Sequence, residues 1–337
     1  MSLGRSAGLT DTGRRRRRNE DSYVHEPPIF AIADGMGGAQ AGEVASRLAA
    51  AVLEEANGEK LTGEARVAEL IQEANRRVFQ RSNEDAAVSG MGTTMTVALV
   101  DDVAGTVAIG HVGDSRAYLV RAGELEQLTD DHTLVNELLK SGRLSPEEAV
   151  VHPQRSVITR ALGTEPDVDV DTFTVETQPG DVFLLCSDGL SSMISDVEIL
   201  GLVRSGAGDL EAALRGLVQA ANTSGGDDNI TVVAFEIAEP RAHDAGETKK
   251  MPVATAPEPV ADDEDTLSGL ERVPAVDTAV LSAAEIQEHV ESAEQPAATA
   301  PRPQAHRPRQ PRRILPLLLL LLVVAAIVLL VVWGLSR

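Results

Sequence analysis

Aromatic side chains are nearly missing from this chain: 2% of its 337 residues are Phe, Trp or Tyr. Aliphatic groups must therefore fill any core, and a hydrophobic content of 43% is enough for a sizeable one. There is one cysteine, Cys186, so no disulfide forms within the chain. Its place inside VFLLCSD reads as a small buried hydrophobe, which fits a reducing compartment. Lysine occurs only at 60, 140, 249 and 250. With the abundant Ala, Gly and Arg, this points to a GC-rich bacterial genome. Net positive charge is also lacking: the formal value of -22 excludes general nucleic-acid binding, which needs a basic face. The N-terminus has charges but no apolar h-region, so it is not read as a secretory signal. No Gly-x-Ser-x-Gly elbow is present, and neither Cys nor paired His has the spacing of a zinc site.

What is present divides the chain. Residues 1–238 hold all the regular patterning. Residues 239–313 are rich in Pro, Ala, Glu and Thr, carry the acidic cluster Asp262, Asp263, Glu264 and Asp265, and read as a disordered linker. Every residue from Ile314 to Trp333 is apolar, a length that at about 1.5 Å per residue matches a bilayer core of roughly 30 Å. Arg302, Arg307, Arg309, Arg312 and Arg313 precede this span and only Arg337 follows it. The positive-inside rule then orients a single-pass cell-membrane protein with its large N-terminal part in the cytoplasm and residues 334–337 outside.

Within 1–238 the apolar runs predict strands at 29–33, 93–100, 103–109, 117–120, 182–186 and 230–237. Helices are predicted at 42–55, 66–81, 133–141, 146–150, 196–203 and 210–222. Ser145-Pro146-Glu147-Glu148 has the form of a helix start. Strands 93–100 and 103–109 are separated by Asp101-Asp102, the mark of an antiparallel hairpin, so the expected class is α+β rather than a parallel doubly wound sheet.

Four aspartates stand at the ends of these runs: Asp34 in IFAIADGMGG, Asp114 in GHVGDSRAYLV, Asp188 in VFLLCSDGL and Asp228 in GGDDNITVV. One such residue is an ordinary turn Asp. Four, together with Asn19-Glu20-Asp21, suggest strand ends meeting at a shared cation site, because buried carboxylates crowd together only with a counter-charge between them. A set made of Asp and Glu favours Mg²⁺ or Mn²⁺ over zinc. Arg14 to Arg18 form an unbroken basic run directly before Asn19. It is either a solvated patch or the source of one inward arginine that clamps a phosphate.

Taken together, Arg16-x-x-Asn19-Glu20-Asp21, Asp34-Gly35-Met36-Gly37-Gly38, Gly92-Thr93-Thr94, Gly113-Asp114-Ser115-Arg116, Ser187-Asp188-Gly189 and Asp228-Asn229-Ile230-Thr231 resemble the protein phosphatase 2C family, and within it the bacterial serine/threonine phosphatases. The resemblance covers roughly residues 5–238. It implies two antiparallel β-sheets packed as a sandwich flanked by α-helices, with two or three Mn²⁺ or Mg²⁺ ions at one end. By position, Asp34, Asp188 and Asp228 would hold one ion. Glu20, Asp34 and the Gly35 carbonyl would hold a second, and Asp114 with Asp188 a third. Arg16 matches the phosphate-binding arginine, with Arg17 and Arg18 as alternatives in the same run. Residues of about 130–165 would form a flap beside the cleft. Met36 stands where many eukaryotic members have a histidine proposed as general acid. His132 and His152 are candidates for that task, and a structural role is the stronger expectation for each.

The resemblance thus implies a metal-dependent phosphoserine/phosphothreonine phosphatase acting on phosphorylated proteins, opposing serine/threonine kinases at the membrane. Two alternatives stay open from the sequence: a non-catalytic phosphoprotein-binding module, and a phosphoesterase for another substrate class.

Overall fold

The computed structural model describes residues 2–37, 41–56, 62–206 and 208–239. The chain runs through β1 (Ser2–Asp11), β2 (Asp21–Glu26), β3 (Ile29–Met36), α1 (Ala41–Ala56), α2 (Gly63–Glu84), β4 (Gly92–Thr93), β5 (Met95–Asp101) and β6 (Thr106–Val112). It continues with β7 (Arg116–Arg121), β8 (Glu124–Gln127), α3 (Leu134–Lys140), α4 (Pro146–Val150), β9 (Asp171–Glu176) and β10 (Val182–Cys186). It then adds α5 (Asp188–Ser191), α6 (Asp196–Ser205), α7 (Leu210–Thr223) and β11 (Ile230–Ala238).

The strands form two antiparallel sheets, ordered β1-β11-β10-β7-β8 and β2-β3-β5-β6-β9, with the short β4 paired to β3. Between them lies a core of Phe30, Ile32, Ile109, Phe183, Leu185, Val233 and Phe235. Aromatics are scarce, yet three phenylalanines gather here: Phe235 stacks on Phe30 at 4.4 Å and on Phe183 at 5.0 Å between ring centroids. On the outer face of the second sheet, α1 and α2 bury Ala45, Ala49, Leu53, Val67 and Ile71. On the outer face of the first, α6 and α7 bury Ile199, Leu214 and Leu217. The architecture is therefore helix, sheet, sheet, helix. Central strands have both faces covered, which is why VFLLC and ITVVAFEIA read as nearly continuous apolar runs rather than alternating ones. The small faces of α1 let it lie close on the sheet, and side-chain caps start α3, α4, α6 and α7. Ser145 and Glu148 form the reciprocal capping box expected at the start of α4, and Ser195 and Glu198 repeat it at α6.

Antiparallel register brings the functional segments to one rim. Asp11 at the end of β1 faces Ile230 at the start of β11, and Cys186 at the end of β10 faces both Val232 and Arg116. Asp21 faces Asp34 across β2 and β3. Three connections cross from sheet to sheet there: residues 12–20, residues 113–115 and the long segment of residues 128–170.

Strands β1, β2, β8 and β9 and the single-turn α5 have no counterpart among the predicted elements, and two of the predicted details differ. The strand expected over 93–100 is divided at Thr94, because Thr94 turns to hold Asp34 (below). The hairpin turn spans residues 102–105 instead of two aspartates. Asp101 Oδ1 accepts from the N–H groups of Val103 and Ala104 at 3.0 and 2.8 Å, which leaves Val103 100% exposed. No helix among the described residues is long and apolar enough to cross a membrane. Beyond Glu239, the expected linker, the span at 314–333 and the tail at 334–337 lie outside the described residues.

Candidate active site

A cleft of about 260 Å³ opens at this rim, lined by Arg16, Glu20, Asp34, Gly35, Met36, Gly37, Asp114, Ile158, Asp188 and Asp228. The residues expected to bind metal and phosphate, Arg16, Glu20, Asp34, Gly35, Asp114, Asp188 and Asp228, are all among them. They come from the loop after β1, the end of β3, the crossover after β6, the first turn of α5 and the residue before β11.

Each carboxylate is fixed by backbone contacts that explain the flanking motif residues. Thr94 Oγ1 accepts from the Asp34 N–H at 2.9 Å, while Thr93 Oγ1 and the Thr94 N–H donate to the Asp34 carbonyl at 2.8 and 2.9 Å. Gly92-Thr93-Thr94 is thus a clamp on the Asp34 backbone. Thr94 Oγ1 also lies 2.8 Å from Ser115 Oγ, joining that clamp to the Asp114 turn. Asn229 acts as a staple: its Nδ2 donates to the carbonyls of Thr12 and Arg18, both at 2.9 Å, and its Oδ1 accepts from the Glu20 N–H at 2.8 Å. Ser187 ties the start of α5 to β11 through the Thr231 N–H, which donates to Ser187 Oγ at 3.0 Å.

The arginine run resolves into distinct places. Arg16 alone of the run lines the cleft, donating from Nη2 to Asp228 Oδ2 at 2.8 Å. Arg15 pairs outside it with Asp227 at 2.8 Å, and Arg18 lies 3.9 Å from Glu43.

Electrostatically the cleft is short of positive charge. Burial first, and then the charges of Asp21, Asp188, Asp228 and Asp114, hold the Asp34 carboxyl well above the usual carboxylate range. Asp188 is raised likewise by burial and by Asp114, Asp228 and Asp21. Burial and the neighbouring Asp131 push Asp114 up to about 7, and burial raises Glu20 against the pull of Arg16. Arg16 itself is raised despite burial, because Asp228 stabilises its charge.

The residues fit a hard divalent cation. Asp114 Oδ1 and Asp188 Oδ1 are buried oxygens without a hydrogen-bond partner, and the donors are all oxygen. Among the described residues, no three His, Cys, Asp or Glu side chains are already closed around one point.

Asp21 was legible only as part of a motif. Its Oδ2 accepts from Thr231 Oγ1 at 2.5 Å, its Oδ1 is buried without a partner, and burial raises its carboxyl to about 6. The signal that locates it is the register that sets it opposite Asp34. The flap expectation is met in part by Ile158, which lines the cleft and packs with Met36 and Ala161. Neither candidate histidine lines the cleft. His132 is buried: its Nδ1 accepts from the Gly113 N–H at 3.0 Å, and its Nε2 lies 3.0 Å from Asp171 Oδ2. His152 Nδ1 accepts from the Gln154 N–H at 3.2 Å.

Comparisons with known proteins agree with this geometry. Serine/threonine phosphatase stp of Listeria monocytogenes is 42% identical over 238 residues, covering 67% of this chain and 93% of the relative. Serine/threonine protein phosphatase PstP of Mycobacterium tuberculosis is 38% identical over 266 residues, covering 78% of this chain and 49% of the relative. The crystal structure of the M. tuberculosis phosphatase PstP/Ppp superposes with a TM-score of 0.67 at 38% identity, over 71% of this chain and 100% of that one. The PstP catalytic domain in complex with two manganese ions superposes with a TM-score of 0.64 at 37% identity, over 70% of this chain and 99% of that one. Residues 14–230 match the family model of protein phosphatase 2C, and the chain belongs to that family.

Proposed function

We propose that this chain is a metal-dependent protein serine/threonine phosphatase whose cleft hydrolyses phosphoserine and phosphothreonine. The observation that carries this is the meeting, in one cleft, of Arg16 with Glu20, Asp34, Asp114, Asp188 and Asp228 from segments up to 212 residues apart. Asp34, Asp188 and Asp228 would hold one Mn²⁺ or Mg²⁺ ion. Glu20, Asp34 and the Gly35 carbonyl would hold the second, and Asp114 with Asp188 a third. When bound, such a pair supplies Lewis acidity, acidifying water and neutralising charge on the phosphoryl oxygens.

The chain's own groups do the rest. Arg16 presents a planar fork matched to two phosphate oxygens. Its present partner is Asp228, so an incoming phosphate competes with a carboxylate for the same guanidinium. Thr93, Thr94 and Asn229 fix the backbones of Asp34 and Glu20, so the charges are positioned before substrate arrives. Met36 and Ile158 form an apolar edge that offers no proton to the leaving seryl or threonyl oxygen. Neither histidine lines the cleft, so neither is placed to supply that proton.

Asp34→Asn and Asp228→Asn should each lower Mn²⁺-dependent hydrolysis of a phosphopeptide by about 100-fold or more. Circular dichroism should remain that of the parent. Full activity in both variants rules out the centre, whereas an inactive parent that still binds the phosphopeptide would identify a binding module instead.

We also propose that the 314–333 segment anchors the chain in the cell membrane with the phosphatase part in the cytoplasm, near serine/threonine kinases and their phosphorylated substrates. The apolar length of that segment and the arginines before it support this reading. Carbonate-washed membranes should retain the full chain and release a variant ending at 313; full-length protein in the soluble fraction would sink the proposal.

A further inference from the structure

The cleft is flanked by a basic loop in a chain whose formal net charge is -22. That loop is built rigidly. Asn229 grips it at the carbonyls of Thr12 and Arg18, and the Gly226 carbonyl accepts from the N–H groups of Arg14 and Arg15 at 2.7 and 3.2 Å. Gly13 has φ +79°, and a Cβ there would stand 2.1 Å from the Asp228 carbonyl oxygen. Each arginine therefore has a settled place. Arg16 points to Asp228, Arg15 to Asp227 and Arg18 to Glu43. The stem of Arg14 lies against Gly226. Arg17 is exposed and, among the described residues, has no ion-pair partner.

We propose that Arg17 is a specificity residue that receives a second phosphate on the substrate, carried within two residues of the phosphoryl group held in the cleft. The proposal rests on the phosphatase reading and refines its substrate class to clustered phosphorylation sites. Neighbouring Cα atoms are ~3.8 Å apart, so Arg17 is anchored beside the arginine that faces the cleft. Residues two apart on an extended peptide are separated by roughly 7 Å, a gap that two adjacent arginine side chains can span. Arg14 and Arg17 are both exposed and without an ion pair among the described residues, but only Arg17 adjoins Arg16 in the chain. The acidic remainder of the protein repels a polyanionic peptide, so an uncompensated guanidinium next to the cleft arginine would select for one. An exposed contact of this kind is screened by salt, which gives the effect a signature that packing lacks.

The test compares the full chain with Mn²⁺ on peptides of one sequence. One carries a single phosphothreonine, and two carry a second phosphate two residues before or after it. At low ionic strength the wild type should favour at least one doubly phosphorylated peptide by about threefold in kcat/KM, mainly through KM. Arg17→Ala should bring that ratio to about one, Arg17→Glu should invert it, and 0.5 M salt, where the Debye length is only about 4 Å, should collapse it in the wild type. A wild-type ratio of one, or a ratio that survives in Arg17→Ala, or one abolished by Arg14→Ala and not by Arg17→Ala, overturns the assignment while leaving the phosphatase reading intact. Failure to hydrolyse any of the peptides overturns both.

Discussion

Gly35 sits where three stretches of backbone come closest. A Cβ there would lie 2.1 Å from the Gly42 carbonyl oxygen at the start of α1 and 2.5 Å from the Glu20 carbonyl oxygen. Its N–H donates to that Glu20 carbonyl at 3.1 Å, so the same contact joins the Asp34 segment to the Glu20 segment. None of these neighbours is a flexible side-chain tip. Alanine at 35 must therefore push apart β3, α1 and the loop before β2, a form of overpacking that costs about 1–3 kcal/mol. Gly201, within α6, has nothing within 4 Å of the equivalent position. Alanine there should stabilise by about 0.5–1 kcal/mol through helix propensity. Urea unfolding of Gly35→Ala and Gly201→Ala should move the midpoint in opposite directions. A Gly35→Ala midpoint equal to the parent's would show that the three segments are not held as described.

At the level of elements, visibility in the sequence follows position in the sheets. The runs at 29–33, 182–186 and 230–237 announce β3, β10 and β11 because those strands have neighbours on both sides and cover on both faces. The four longer strands that the sequence did not reveal are β1, β2, β8 and β9, which are the four sheet edges. An edge strand carries mixed polarity, as in SLGRSAGLTD or ELEQ, since one side of it meets solvent. Helices α1, α2, α6 and α7 were legible from their apolar faces, whereas α5 is a single turn created by the site itself around Asp188. The aspartates were readable because each interrupts an apolar run. The opposite polarity of Asp228, before its strand, follows from the antiparallel pairing of β10 with β11. What could not be read was the support: Thr94 beneath Asp34, Asn229 across the arginine loop, and Asp21 opposite Asp34 all act through register between distant segments. Register also decides which arginine turns inward, a question the run of five leaves open and the loop's anchoring at Gly226 and Asn229 answers with Arg16.

For the molecule as a whole, the cleft sets activity against stability. Burial raises Asp21 to about 6, and burial with Asp131 raises Asp114 to about 7, while Asp34 and Asp188 lie well above the usual carboxylate range. Between ~3.8, the ordinary aspartate value, and these raised values, the folded chain binds more protons than the unfolded one. Its stability must then fall as pH rises through that window. For a single buried group the loss is on the order of a few kcal/mol by neutral pH. Divalent cations in the cleft supply the missing positive charge without protons, so their contribution should grow as the carboxylates ionise. The metal-free protein should therefore melt at a higher temperature near pH 5 than near pH 7.5. Saturating Mn²⁺ should raise the midpoint more at pH 7.5 than at pH 5, and less in Asp34→Asn than in the parent. Thermal melts across this range, with and without Mn²⁺, measure all three. A metal-free midpoint independent of pH, or a Mn²⁺ increment equal at both ends, would mean that the clustered carboxylates are not the source of the strain, and that the cleft is solvated well enough to hold its charges without cations.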